Sequence, residues 1–218
     1  MQTLTEAVLK AGLGGRVLRD RQFGDWFDGS AQRRYNLVNR ALRADELVRL
    51  ARGVYMLHPE VAGSRPHPFV VAQVLRPGSF LSFESALAWH DCIPEAVPLH
   101  VSVVPGRRKA AFSVPFYGDF QFVPLAVRRG YGLVGVQRVE LTGGIGLVAN
   151  PLRALLDLVC RRKVEPVELG QFLAGLRLDS AFLDDLSGDQ LARFREVYQH
   201  RRMMLVIDEL KGMLDSHD

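Results

Sequence analysis

The chain has 218 residues, 48% hydrophobic and 24% charged. These values are close to the globular average and exclude a disordered or fibrous protein. Its 24.4 kDa allows one generous domain or two small ones, with enough chain to bury a core. No apolar run approaches the roughly 20 residues needed to span a bilayer. The first residues, Met1 to Glu6, show no basic stretch leading into an apolar one, so neither a membrane span nor a leader peptide is expected. The two cysteines, Cys92 and Cys160, form no CxxC pair. That excludes a disulfide scaffold or a cysteine zinc site and makes a reducing cytoplasm the expected compartment.

The charge is unevenly distributed. Residues 1–58 hold ten Lys/Arg against six Asp/Glu, and the other 160 residues balance at 18 of each, so the whole excess of +4 lies in the first quarter. Such asymmetry points to a polyanionic partner for that quarter. Of the 28 basic residues, 24 are arginine, the side chain suited to bidentate contacts with phosphate and guanine.

In chain order, apolar residues at Leu4, Ala7, Val8 and Ala11 predict a helix that Gly12 ends. A second short helix is predicted from Asp20 to Phe27, closed by an Asp28-Gly29 turn. Ser30 is the expected cap of a third helix running to about Arg43, with Ala31, Tyr35, Val38 and Leu42 as its inward stripe. At about 100° per residue the opposite face presents Arg33, Asn36 and Arg40, with Gln32 and Arg43 beside them. These types make bidentate contacts with guanine and adenine edges. Two β-rich arms then flank Arg52-Gly53, predicting a hairpin. Three helices and a hairpin are the order of a winged helix-turn-helix, with the third helix in the major groove. Arg33, Asn36 and Arg40 are the expected base readers. Arg34, Arg49 and Arg52 would hold phosphates or the minor groove, and Arg19 and Arg21 the backbone, with Gln32 adjoining.

Residues 59–67, with Pro59, Pro66, Gly63 and Ser64 and with Pro68 following, are the linker candidate, giving domains at 1–58 and 68–218. Beyond the linker, helices are predicted at Pro68–Arg76 and, capped by Ser82, at Phe83–His90. Strands are predicted at 99–104, 112–115, 120–124, 134–141 and 145–149, the last two joined by a Gly143-Gly144 turn. Asn150 and Pro151 open a further helix with Leu152, Leu155, Leu156 and Val159 inward. On it, Arg153, Asp157 and Arg161 at i, i+4, i+8 read as a surface ion-pair ladder. Glu165–Leu176 reads as one helix and Gly188–Leu214 as one or two. The expected fold class is therefore α+β: an N-terminal winged helix, then a mixed domain with an antiparallel sheet and C-terminal helices.

No active site is expected in the second part. Gly144-x-Gly146-x-x-Ala149 lies within a strand-like run, where no helix begins at the glycines as phosphate binding requires. The six histidines lack zinc-site spacing, so no metal or cofactor is expected. Ser85, His90 and Asp91 are close in sequence, but positions five apart on a helix share no face well, and Ser85 is expected to pack while His90 ends its helix. Glu84, Asp91 and Glu95 have no spacing that requires a cation. The basic clusters at 107–109, 128–129 and 161–163 read as solvated ends and loops.

Three blocks resemble a known family. Tyr35–Leu57 runs from a helix into a wing ending Arg-Gly-Val-Tyr. Leu81-Ser82-Phe83-Glu84-Ser85-Ala86-Leu87-Ala88-Trp89-His90 is similar to an S-x-x-S-A-L-x-x-H stretch. Val148 to Leu158 is similar to A-x-P-x-R-A-L-L-D-L. In this order they resemble the AbiEi antitoxins of type IV toxin–antitoxin and abortive-infection systems. The resemblance implies a repressor of its own operon, binding inverted repeats in promoter DNA, and a C-terminal domain that counteracts a nucleotidyltransferase-like toxin. The same layout occurs in solitary winged-helix regulators, so a regulator or a protein-interaction module without a toxin is the alternative. On either reading the protein is not an enzyme.

Overall fold

The computed structural model describes residues 3–26, 30–95 and 97–215. The expected helix end at Phe27, the Asp28-Gly29 turn and His217 lie outside the described residues. The chain divides into two compact units. The first takes Met1–Pro77, Phe112–Asp119 and Arg138–Gly146, and the second takes Gly78–Ala111, Phe120–Gln137 and Leu147–Asp218.

The first unit opens with α1 (Leu4–Lys10). Thr3 Oγ1 accepts from the Glu6 N–H and the Glu6 carboxylate accepts from the Thr3 N–H, a reciprocal cap that satisfies two end donors. Then come β1 (Leu18–Arg19), α2 (Asp20–Trp26), α3 (Ala31–Arg43), β2 (Leu47–Ala51) and β3 (Val54–Leu57). The three strands form an antiparallel sheet in the order β1-β3-β2. Leu4, Val8, Leu18, Phe23, Leu37, Val38, Ala41, Leu47, Tyr55 and Leu57 form one buried cluster, so both outer helices, α3 and the sheet share a core.

The segment expected as a linker is structured. It contains α4 (Pro59–Ala62), closed by Gly63 in the left-handed region, and is followed by α5 (Pro68–Leu75). Within the same unit the Tyr117 hydroxyl donates to the Pro66 carbonyl at 2.7 Å, Arg65 Nη1 donates to the Phe116 carbonyl at 3.0 Å, and the His67 N–H donates to the Thr142 carbonyl at 2.8 Å. Gly143 could not be replaced there, because an added Cβ would stand 2.5 Å from the Gly15 carbonyl oxygen. Burial pushes the Tyr117 phenol up to about 12.

The rest of the chain supplies β4 (Phe80–Leu81), α6 (Phe83–Trp89), β5 (His100–Val104), β6 (Ala110–Val114), β7 (Gly118–Pro124), β8 (Val136–Leu141), β9 (Gly144–Ala149) and α7 (Pro151–Arg162). It ends with α8 (Leu169–Leu176), α9 (Ser180–Asp184), α10 (Gly188–Phe194) and α11 (Arg201–Asp215). The architecture is mixed α+β with helices at the C-terminal end. The six-stranded sheet has the order β6-β7-β5-β4-β9-β8. Antiparallel pairing is present at β4–β5, as expected, and β5–β7 and β4–β9 pair in parallel, which the expectation did not include. Parallel neighbours need a crossover, and strand candidates alone do not reveal one.

Helix α7 corrects the expected surface ladder. It begins as expected, with the Asn150 side chain accepting from the Arg153 N–H and Pro151 in its first turn. Yet Leu152 through Cys160 are all buried, and Arg153 and Asp157 are 0% exposed. Arg153 Nε donates to Asp157 Oδ1 at 2.8 Å, and its Nη1 donates to the Val134 carbonyl at 2.7 Å. Asp157 also accepts from the Tyr198 hydroxyl at 2.8 Å and the Ser82 hydroxyl at 2.7 Å. Arg161 lies outside this network, its guanidinium 4.9 Å from the Phe83 ring centroid. Ser82 does not cap α6 with its side chain, because that hydroxyl is spent on Asp157. Burial, the largest influence, pushes the Asp157 carboxyl up, while Arg153 and the two hydroxyls act against it.

A smaller correction concerns one helix bound. The predicted Glu165–Leu176 helix begins as a single 3-10 turn, Pro166–Glu168, before α8. The 188–214 segment, expected as one helix or two, is two helices, α10 and α11. Among the described residues no helix is long and apolar enough to cross a membrane.

Candidate nucleic-acid interface

Helix α3 is set by its ends. The Ser30 hydroxyl accepts from the Arg33 N–H at 3.3 Å, and Arg40 and Arg43 in the last turn suit the negative end of the helix dipole. Leu37, Val38 and Ala41 are buried. This turns the inward face from the expected stripe: Val38 is on it and Leu42 is half-buried, but Ala31 is exposed and Tyr35 is 62% exposed. The outward face is as expected, with Gln32, Arg33, Asn36, Arg40 and Arg43 all exposed. Gln32 Nε2 donates to Asn36 Oδ1 at 3.1 Å. That bond between neighbouring turns orients both amides and leaves the Asn36 NH2 and the Gln32 carbonyl available to a partner.

The hairpin β2–β3 turns at Arg52-Gly53, as the sequence predicts. Gly53 has φ +70°, and an added Cβ would stand 2.8 Å from Asp20 Oδ2. Glycine is therefore required both by conformation and by the close approach of the first residue of α2. The Asp20 N–H donates to the Gly53 carbonyl at 3.1 Å, so the turn is tied to α2 from both sides. The Arg49 guanidinium lies 5.7 Å from the Tyr55 ring centroid. Burial chiefly, and Asp20 next, raise the Tyr55 phenol above its ordinary value.

Between α3 and the hairpin runs a groove of about 580 Å³, lined by Arg21, Arg34, Arg49 and Arg52, with Tyr35 and Asp20. Four of the expected phosphate-contacting arginines thus converge on one concavity. Arg19 is placed otherwise. It is half-buried and its Nη2 donates to the Val74 carbonyl at 3.0 Å, so its guanidinium braces its own unit. The spacing of Tyr35 from Ala31 predicts a core position. Its high exposure beside four arginines is the one signal in this groove that helical periodicity pointed away from.

In the second unit, the Ser85 hydroxyl donates to the Leu99 carbonyl at 2.6 Å and accepts from the Val101 N–H at 2.9 Å. The His90 ring Nε2 lies 2.9 Å from the Ala149 carbonyl oxygen. Hydroxyl and imidazole are each committed to the main chain, an arrangement for packing and not for nucleophilic attack. Glu84 pairs with Arg162 at 2.8 Å and Glu95 with Arg177 at 3.4 Å. Among the described residues no group of three His, Cys, Asp or Glu could hold a metal ion.

Compared with known proteins, the chain matches no family and no curated protein. The assignment of residues to roles rests on their own geometry.

Proposed function

We propose that the protein is a non-enzymatic repressor that binds double-stranded DNA through a winged helix-turn-helix in residues 1–58. The observation that carries this reading is the exposed Arg33/Asn36/Arg40 face of α3, which adjoins a groove lined by Arg21, Arg34, Arg49 and Arg52. Helix α3 enters the major groove, where Arg33 and Arg40 pair with guanine O6 and N7 and Asn36 with adenine N6 and N7. The arginine groove receives the phosphate backbone, with Arg52 at the tip of the wing. Asp20 also lines the groove; its main-chain N–H ties the hairpin turn to α2, and its carboxylate bonds the Tyr55 hydroxyl.

On this proposal the antitoxin role rests on the three sequence blocks that resemble the AbiEi family. The chain would repress its own operon from inverted promoter repeats in the cytoplasm and counteract a nucleotidyltransferase-like toxin. Two copies on a palindrome would set half-site centres about 10–10.5 bp apart or a multiple of that.

Two experiments test this reading. Arg33→Ala and Arg40→Ala should each cost about 1–3 kcal/mol on the promoter duplex and relax the base preference at one position. Binding equal to the parent on promoter and random duplexes would refute the role of α3. For the antitoxin role, co-expression with a neighbouring nucleotidyltransferase-like gene should restore growth that the gene alone arrests. Unrelieved arrest would leave a regulator without that partner.

A further inference from the structure

We propose that the second unit carries a separate binding site for a nucleoside monophosphate. A cleft of about 480 Å³ is lined by Lys109, Arg161 and His200, which come from three distant stretches of the chain: the segment before β6, the last turn of α7 and the residue before α11. No carboxylate lines it. Among the described residues, the structure gives these three side chains no hydrogen bond or ion pair. The only contact of their charged groups is that of Arg161 with the face of the Phe83 ring.

Several other basic side chains of the same unit are paired with carboxylates. Arg128 pairs with Glu196, Arg162 with Glu84 and Arg195 with Asp208. A concavity with three nitrogen-bearing basic side chains and no carboxylate among its lining residues is complementary to an anion, and charge-assisted bonds to phosphate oxygens are the strong ones. The rest of the lining is of another kind. Val123 and Leu125 present apolar surface and Gln121 an amide. The cleft is much larger than an inorganic phosphate and lies within the range of small-molecule sites, which are mostly apolar with a few placed polar groups. A phosphate held by Lys109, Arg161 and His200, with a planar base against Val123 and Leu125 and its edge at Gln121, accounts for both halves. Cys160 beneath takes no part in the chemistry, since burial pushes its thiol up to about 11.

The test is direct binding of AMP and UMP to the full chain, with adenosine and inorganic phosphate as the separated halves. The nucleotides should bind, phosphate should compete only at higher concentration, and adenosine should bind much more weakly. Lys109→Gln and His200→Gln replace exposed side chains with no bonded partner among the described residues, so the variants should melt as the parent does. Each should lose roughly tenfold or more in nucleotide affinity. Failure of either nucleotide to bind in the millimolar range, equal binding of adenosine, or variants that bind as the parent does would each overturn the proposal. So would displacement of AMP by a duplex lacking the promoter sequence, which would assign the cleft to a nucleic-acid backbone. Arg33→Ala/Arg40→Ala should leave nucleotide binding unchanged, so this inference and the DNA-binding reading can fail independently.

Discussion

Asp157 accepts bonds from three partners distant in sequence or on its own helix, Ser82, Arg153 and Tyr198, with no exposure to water. Removing its charge leaves the Arg153 guanidinium buried without compensation, so Asp157→Asn should destabilise the chain by about 3–5 kcal/mol. The double change Arg153→Met/Asp157→Asn should cost less than the sum of the single changes, because the second removes the orphaned charge. Urea unfolding measures both, and a cost for Asp157→Asn below about 1 kcal/mol would place the ion pair outside the energetics of the fold. The spacing of residues 153 and 157 was plain in the sequence, but i, i+4 charges look the same on a wet or a dry face. Only the apolar neighbours on every side of α7, from Leu152 to Cys160, hinted at burial. A second residue-scale expectation concerns alkaline pH. Burial raises Cys160 from 9.0 to about 11 and Tyr117 from 10.0 to about 12. The native state keeps protons that the unfolded chain releases, so these groups contribute full stability below pH 9, lost as pH rises towards 12. Urea midpoints should fall across that window, and flat midpoints would show that both groups already titrate as exposed ones.

At the scale of elements, the ends of helices were more legible than their faces. Ser30 and Asn150 cap where expected, while Ser82 opens α6 without a side-chain cap bond. The hairpin turn at Gly53 is equally plain, since its flanking arms are β-rich and its glycine has a conformational reason. The two-residue strands β1 and β4 had no periodic signal to give, because pairing with a partner strand and not local pattern makes them strands. The inward face of α3 differs from the expected stripe because an aromatic at helical spacing suggests core, whereas Tyr35 turns to solvent in the arginine groove. Gly53→Ala tests how the element depends on its turn. A Cβ at positive φ, against Asp20 Oδ2, should displace the hairpin tip and cost about 1–3 kcal/mol. DNA binding should weaken along with stability. Unchanged DNA affinity in a destabilised Gly53→Ala protein would mean that the hairpin is not a wing.

Across the whole molecule, the chain order of the two units is not a simple division. Residues 112–119 and 138–146 join the first unit through contacts such as Tyr117 with Pro66, which no local pattern in either segment could announce. What was legible at this scale is the charge: the net excess of +4 falls within residues 1–58, where the arginine groove and the outward face of α3 lie. A cationic surface used on DNA releases counterions, so affinity should fall with salt at a slope of about −0.9 per phosphate neutralised. A merely solvated basic surface has no reason to prefer one duplex. The most direct measurement is therefore binding of the purified chain to the DNA just upstream of its own start codon and to a scrambled duplex, across a salt series. The account predicts a large preference for the native duplex and a steep slope, reduced by about one in Arg52→Ala. Equal, weak binding to both duplexes would contradict it.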